Sequence, residues 1–115
     1  MTVSVSLGEE IIEDIEVGPN PFTPNGDGVN DAAEIGFTVL KINVPREVRV
    51  EIYTLAGKKI WETTEARTNT SGRYSITWTG SNEDGRRVPP GFYLCRIEVD
   101  TDAARAIHRT ICVAY

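Results

Sequence analysis

The sequence is poor in the residues on which most enzymes depend. It contains one histidine, His108, and two cysteines, Cys95 and Cys112. No G-x-S-x-G, no H-E-x-x-H and no Cys/His pair at ligand spacing occurs, so a hydrolytic triad, a zinc centre of the usual kind and a cysteine protease site have no residues to build them. His108 falls inside a strand-like run and reads as a strand surface residue. Paired carboxylates of the glycosidase type would need a sugar-enclosing cleft, and a chain of 115 residues has little room for both that cleft and a core. The residue pattern therefore predicts a non-catalytic domain.

Long apolar runs are also missing, which excludes a membrane-spanning helix. Basic residues are in deficit: 12 Lys and Arg against 17 Asp and Glu give a formal charge of −5, and the positive charges are scattered. That balance is wrong for gripping a phosphate backbone, so nucleic acid is excluded as a partner. The first residues, MTVSVSL, have neither a basic stretch nor an apolar one of export-signal length. Met1 before a strand-like run fits an initiator added to an excised domain, and a last strand ending at Tyr115 reads as a native C-terminus. On this reading residues 1–115 are one domain from the end of a larger exported protein.

Helical periodicity is absent, and short alternating runs take its place. They lie at Val3 to Leu7, Ile11 to Val17, Ile35 to Leu40, Val48 to Thr54, Lys58 to Thr64, Arg73 to Trp78, Phe92 to Val99 and Ala106 to Ala114, with Gly, Pro, Asn and Asp between them. Such spacing predicts an all-β immunoglobulin or fibronectin III-like sandwich of seven to eight antiparallel strands. Val48, Val50 and Ile52 should face the core against Arg49 and Glu51, as should Tyr74, Ile76 and Trp78 against Ser75 and Thr77. Leu55 to Lys58 reads as a tight hairpin in which Gly57 takes a positive φ. Asp100 to Arg105 reads as a looser one. In the last two strands, pleat alternation sends Cys95 to the core and Cys112 to the opposite face, favouring two separate thiols over a disulfide.

One segment could carry chemistry. Asn20 to Asp31 (NPFTPNGDGVND) is an oxygen-rich loop punctuated by glycines. Asn25, Asp27 and Asp31 offer side-chain oxygens at alternating positions, Val29 offers its carbonyl between them, and Glu34 follows. Calcium takes six to eight such oxygens, so these five are candidate calcium ligands. Gly36 stands where an EF-hand would place its bidentate glutamate, so the loop is not an EF-hand. The same residues also fit a metal-free turn, in which Asn and Asp bond their own backbone and the glycines adopt left-handed conformations. No other cofactor is indicated. In the loop from Trp78 to Gly91, Asp84-Gly85 forms a turn pair and Pro89-Pro90-Gly91 leads into the next strand; its acids read as solvated turn residues.

Three blocks, Asn20 to Asp31, Val48 to Trp61 (VRVEIYTLAGKKIW) and Tyr74 to Ile97 (YSITWTGSNEDGRRVPPGFYLCRI), resemble the immunoglobulin-like domain of the flagellar hook-capping protein FlgD. They are similar also to C-terminal modules of secreted bacterial proteins, including those of gliding motility and type IX secretion. The chain departs from that pattern at Thr79, where Asp is usual, at Cys95, and in lacking a basic ending. The resemblance implies a sandwich at the cell surface or outside the cell, acting in export sorting, anchoring, spacing or assembly. Its partner would be secretion or surface-assembly machinery, or the rest of the parent chain.

Two other roles compete. A carbohydrate-binding module would stack a glycan on an exposed aromatic, and Trp61, next to inward Ile60, is the candidate. A lone strand aromatic serves more often as a cross-strand packing partner. A self-assembly module would pair in trans through an edge strand, for which Thr2 to Leu7 is the candidate, although pairing within its own sheet is the simpler outcome.

Overall fold

A computed structural model describes residues 11–26, 28–100 and 105–115. Seven strands are present among the described residues: β1 (Ile12–Gly18), β2 (Ala33–Val39), β3 (Glu47–Thr54), β4 (Lys59–Ala66), β5 (Gly72–Trp78), β6 (Gly91–Val99) and β7 (Arg105–Val113). They form two antiparallel sheets, one in the order β1-β2-β5 and one in the order β4-β3-β6-β7. This is the expected sandwich, with every boundary within two residues of the alternating runs from Ile11 onward. The Val3 to Leu7 run and most of the Asp100 to Arg105 turn lie outside the described residues.

Alternation fixes which face of each strand is buried. Val48, Val50 and Ile52 of β3 meet Ile35, Phe37 and Val39 of β2 in one core that also takes Tyr93, Cys95, Ile97 and Val99 of β6. Burying such side chains fully stabilises by about 1.5–3 kcal/mol each, which is the force that holds the two sheets together. Tyr74 and Trp78 are fully buried, while Ile76 between them is only partly covered. Phe37 lies opposite Tyr74 in register and their rings stack at 5.2 Å. Two tyrosines reach out of the core to tie down the loop before their own strand: the Tyr74 hydroxyl donates to the Thr70 carbonyl and the Tyr93 hydroxyl to the Pro89 carbonyl. The β3–β4 hairpin closes as its sequence requires, with Gly57 at φ 94° and its N–H donating to the Thr54 carbonyl.

One orientation and one burial differ from the sequence reading. Trp61 faces inward, opposite fully buried Ile52, and its ring lies 6.5 Å from that of Trp78. The cause is a register shift between Ile52 and Tyr53: Tyr53 pairs with Lys59, so Ile60 is the extra residue and the pleat resumes one place later. The aromatic proposed as a sugar platform is thus a core-packing residue. Glu51 does lie on the outer face, but only 5% of it is exposed. Its carboxylate accepts from Arg96 Nη1 at 2.8 Å and lies 3.6 Å from Lys59 Nζ. The Arg96 guanidinium also bonds Glu98, which in turn meets Arg49, so the long side chains cover one another.

The cysteines behave as the pleat predicts. Cys95 is fully buried, Cys112 is partly exposed and both are free thiols. Burial pushes the Cys95 thiol up to about 12. Near neutral pH a thiol reagent should therefore label Cys112 in the native protein and Cys95 only on unfolding, checked by mass spectrometry of quenched digests. The same burial raises the hydroxyls of Tyr53, Tyr74, Tyr93 and Tyr115. Each of these groups is neutral longer in the folded than in the unfolded chain, so its contribution is complete below its unfolded pKa and is lost as pH rises. Thermal midpoints should fall as pH climbs above about 9, the ordinary value for a thiol.

Candidate recognition site

The loop from Pro19 to Ala32 does more than join β1 to β2. Pro19 and Pro21 have no N–H, so the chain cannot extend the β1–β2 ladder and leaves that sheet. It crosses to the other sheet and lies against β7. The Asn20 side chain imitates a peptide group: its Nδ2 donates to the Thr110 carbonyl at 3.0 Å and its Oδ1 accepts from the Cys112 N–H at 2.7 Å. Phe22 then pairs with Val113 in parallel, its N–H on the Cys112 carbonyl and its carbonyl on the Ala114 N–H, both at 3.0 Å. The Phe22 ring is fully buried, edge-on to Trp78 at 5.5 Å. Residues 20–22 therefore latch the start of the domain to its last strand.

Past the latch the loop folds back on itself. The Thr23 N–H donates to the Asn30 carbonyl at 2.7 Å, and the Asn25 N–H to the Thr23 carbonyl at 2.7 Å. The Asp31 carboxylate accepts from the backbone N–H groups of Gly26 at 3.0 Å and Gly28 at 2.7 Å. Gly26, Gly28 and Asn30 take positive φ values of 81°, 85° and 55°, the left-handed region in which glycine and asparagine are least strained. Pro24 packs on Gly80, where an added Cβ would come within 2.8 Å of the proline ring; the positive φ of 77° there disfavours a side chain as well.

These positions bear directly on the five candidate calcium ligands. Asp31 spends both carboxylate oxygens on loop N–H groups. Glu34 points along the sheet to β5, where it accepts from Ser75 Oγ at 3.2 Å and Thr77 Oγ1 at 2.8 Å. The Val29 carbonyl accepts from Thr23 Oγ1 at 3.4 Å, and Asn25 lies in the turn. Asp27 lies outside the described residues. Among the described residues no three His, Cys, Asp or Glu side chains gather as a metal-binding group. The bonds of Asp31 and Val29 are those of a turn that closes on itself. Asp31→Ala should cost about 1–2 kcal/mol, the worth of two charge-assisted bonds discounted for exposure, and the melting midpoint should be the same with and without millimolar calcium. A cation bound by the folded form alone would raise that midpoint instead.

The three blocks singled out in the sequence converge on Trp78. Phe22 comes from the first block, Trp61 from the second and Tyr93 from the third, its ring 5.8 Å from Trp78. The Trp78 indole N–H donates to the Ser81 carbonyl at 2.9 Å, and Asn82 Oδ1 accepts from the N–H groups of Asp84 and Arg86 to shape the turn that follows. At the far end the Tyr115 hydroxyl donates to the Val88 carbonyl. His108 is exposed on β7 opposite Arg96, as a strand surface residue should be.

Residues 16–113 match the family model described as CHU_C Type IX secretion signal domain. The chain belongs to that family. Among solved structures it is similar to dimeric latent PorU from Porphyromonas gingivalis, at TM-score 0.70 and 20% identity over 87% of this chain and 9% of that one. FlgD from P. aeruginosa follows, at TM-score 0.56 and 18% identity over 89% of this chain and 70% of that one. FlgD from Xanthomonas campestris gives TM-score 0.51 and 17% identity over 71% of this chain and 55% of that one. At these identities the likeness establishes the fold, and the domain spans only a small fraction of PorU. No curated protein matches the chain in sequence. The CHU_C domain is a C-terminal secretion-signal domain of proteins exported out of the cell. The family is non-catalytic, and no helix among the described residues is long and apolar enough to cross a membrane.

The latch escaped the sequence reading, which weighed the Asn20 to Asp31 loop for its oxygens. Its signal was Phe22, a large apolar residue set between Pro21 and Pro24 in an otherwise polar stretch.

Proposed function

We propose that this chain is the non-catalytic sorting module at the C-terminal end of a longer exported protein, bound as a folded sandwich by the type IX secretion machinery. The observation that carries this reading is the family match over residues 16–113, which takes in the latch, the Trp78 cluster and β7 together. The parent protein is delivered outside the cell or to its surface, and the module supplies the address.

A reporter with an export signal at its N-terminus and this chain at its C-terminus tests the reading. In a bacterium with a working type IX system the reporter should reach the medium or the outer surface. In a mutant lacking that system it should stay in the periplasm. Equal retention in both strains would refute the assignment.

A further inference from the structure

We infer that the edge of β7 from Ala106 to Thr110, unpaired among the described residues, is a strand-addition site for an extended, carboxylate-bearing segment of the secretion machinery. This rests on the sorting reading above and specifies how the module is gripped. β7 pairs with β6 in unbroken register from Arg105 to Val113. Its even-numbered residues turn their backbone groups away from β6. The Thr110 carbonyl and Cys112 N–H meet Asn20, while the Cys112 carbonyl and Ala114 N–H meet Phe22. The latch thus covers the upper half of this edge and shows that it accepts an added strand. By the same alternation the N–H groups of Ala106, His108 and Thr110 face outward below the latch, with no partner among the described residues. His108, Arg109 and Thr110 are exposed.

The charge of the strand says what should occupy it. From Arg105 to Tyr115 the sequence carries two arginines and one histidine and no acid, in a chain of net charge −5. The Arg109 guanidinium folds onto the His108 carbonyl at 2.9 Å, and among the described residues it has no carboxylate partner. A second copy adding at this edge would bring arginine-bearing strands together, which disfavours self-pairing. An incoming strand with a carboxylate opposite Arg109 would draw the guanidinium off the His108 carbonyl, freeing that acceptor for the new ladder. Main-chain bonds then supply affinity and the ion pair supplies selection.

Proline separates backbone from side chain here. His108→Pro removes an edge-facing N–H while leaving the β6–β7 bonds in place, as proline is tolerated on an edge strand with its nitrogen toward solvent. His108→Ala keeps the N–H and loses only the imidazole. In the reporter assay, His108→Pro should lose secretion to the level of a reporter without the domain, and His108→Ala should lose far less, the difference being the backbone N–H. Arg109→Glu should lose secretion with an unchanged melt, which tests the site even if the proline variant does not fold. In the isolated domain the His108 and Thr110 amides should exchange with deuterium far faster than those of Ile107 and Ile111. Full secretion of folded His108→Pro and Arg109→Glu would overturn the inference, as would protection of the His108 and Thr110 amides in the isolated domain. Failure of the unmutated reporter to be secreted would instead overturn the sorting assignment.

Discussion

Phe22→Ala should destabilise the domain by about 3–5 kcal/mol, the range for removing a fully buried phenylalanine where the surroundings collapse only in part. Against a total stability of about 5–15 kcal/mol for a domain, that loss is large enough to leave a measurable unfolded population. Its location makes it more than a cavity. The ring is the anchor that holds residues 20–22 on β7, so its loss weakens the two Asn20 bonds and the two Phe22 backbone bonds with it. Urea unfolding checks the stability. Amide exchange at Cys112 and Ala114 checks the latch, since both amides should become labile well below the global unfolding transition.

Trp78→Ala should cost a comparable amount, about 3–5 kcal/mol, for a different reason. Trp78 is the ring on which Phe22, Trp61 and Tyr93 all pack, and its N–H holds the Ser81 carbonyl at the start of the following turn. Removing it empties the place where the three sequence blocks meet. Because Phe22 and Trp78 touch, the double variant should be destabilised by less than the sum of the single changes, with a coupling of about 0.5–3 kcal/mol. Denaturant melts of the four proteins in the cycle measure that coupling. Strict additivity would show that the two rings stabilise independently and that the cluster is not one unit.

The strands were legible because period-two alternation is read by burial itself: Val48, Val50 and Ile52 reach the core for the reason they were expected to. Trp61 was not, because a single extra residue in the ladder at Ile60 reverses the pleat and leaves no mark in composition. Glu51 was placed on the correct face, but its burial depends on Arg96, Lys59 and Glu98 reaching across neighbouring strands, and such cover is a property of register. The loop showed both of its readings in sequence. What it could not show is where the Asp31 and Glu34 oxygens point, toward glycine N–H groups in one case and β5 hydroxyls in the other. The edge of β7 was invisible for the same reason, since which strand lies outermost is decided by topology.

The parallel pairing of Phe22 with Val113 also sets how the domain answers to force. The Phe22 segment and the end of β7 run in the same direction, so tension applied between Ile12 and Tyr115 draws the latch one way and the end of β7 the other. The four bonds made by Asn20 and Phe22 then lie across the line of pull and are loaded together in shear, whereas hairpin bonds loaded from one end would open in turn. The contacts that fasten residues 20–22 to β7 are therefore the ones that a pull between the two ends of the described strands would meet together.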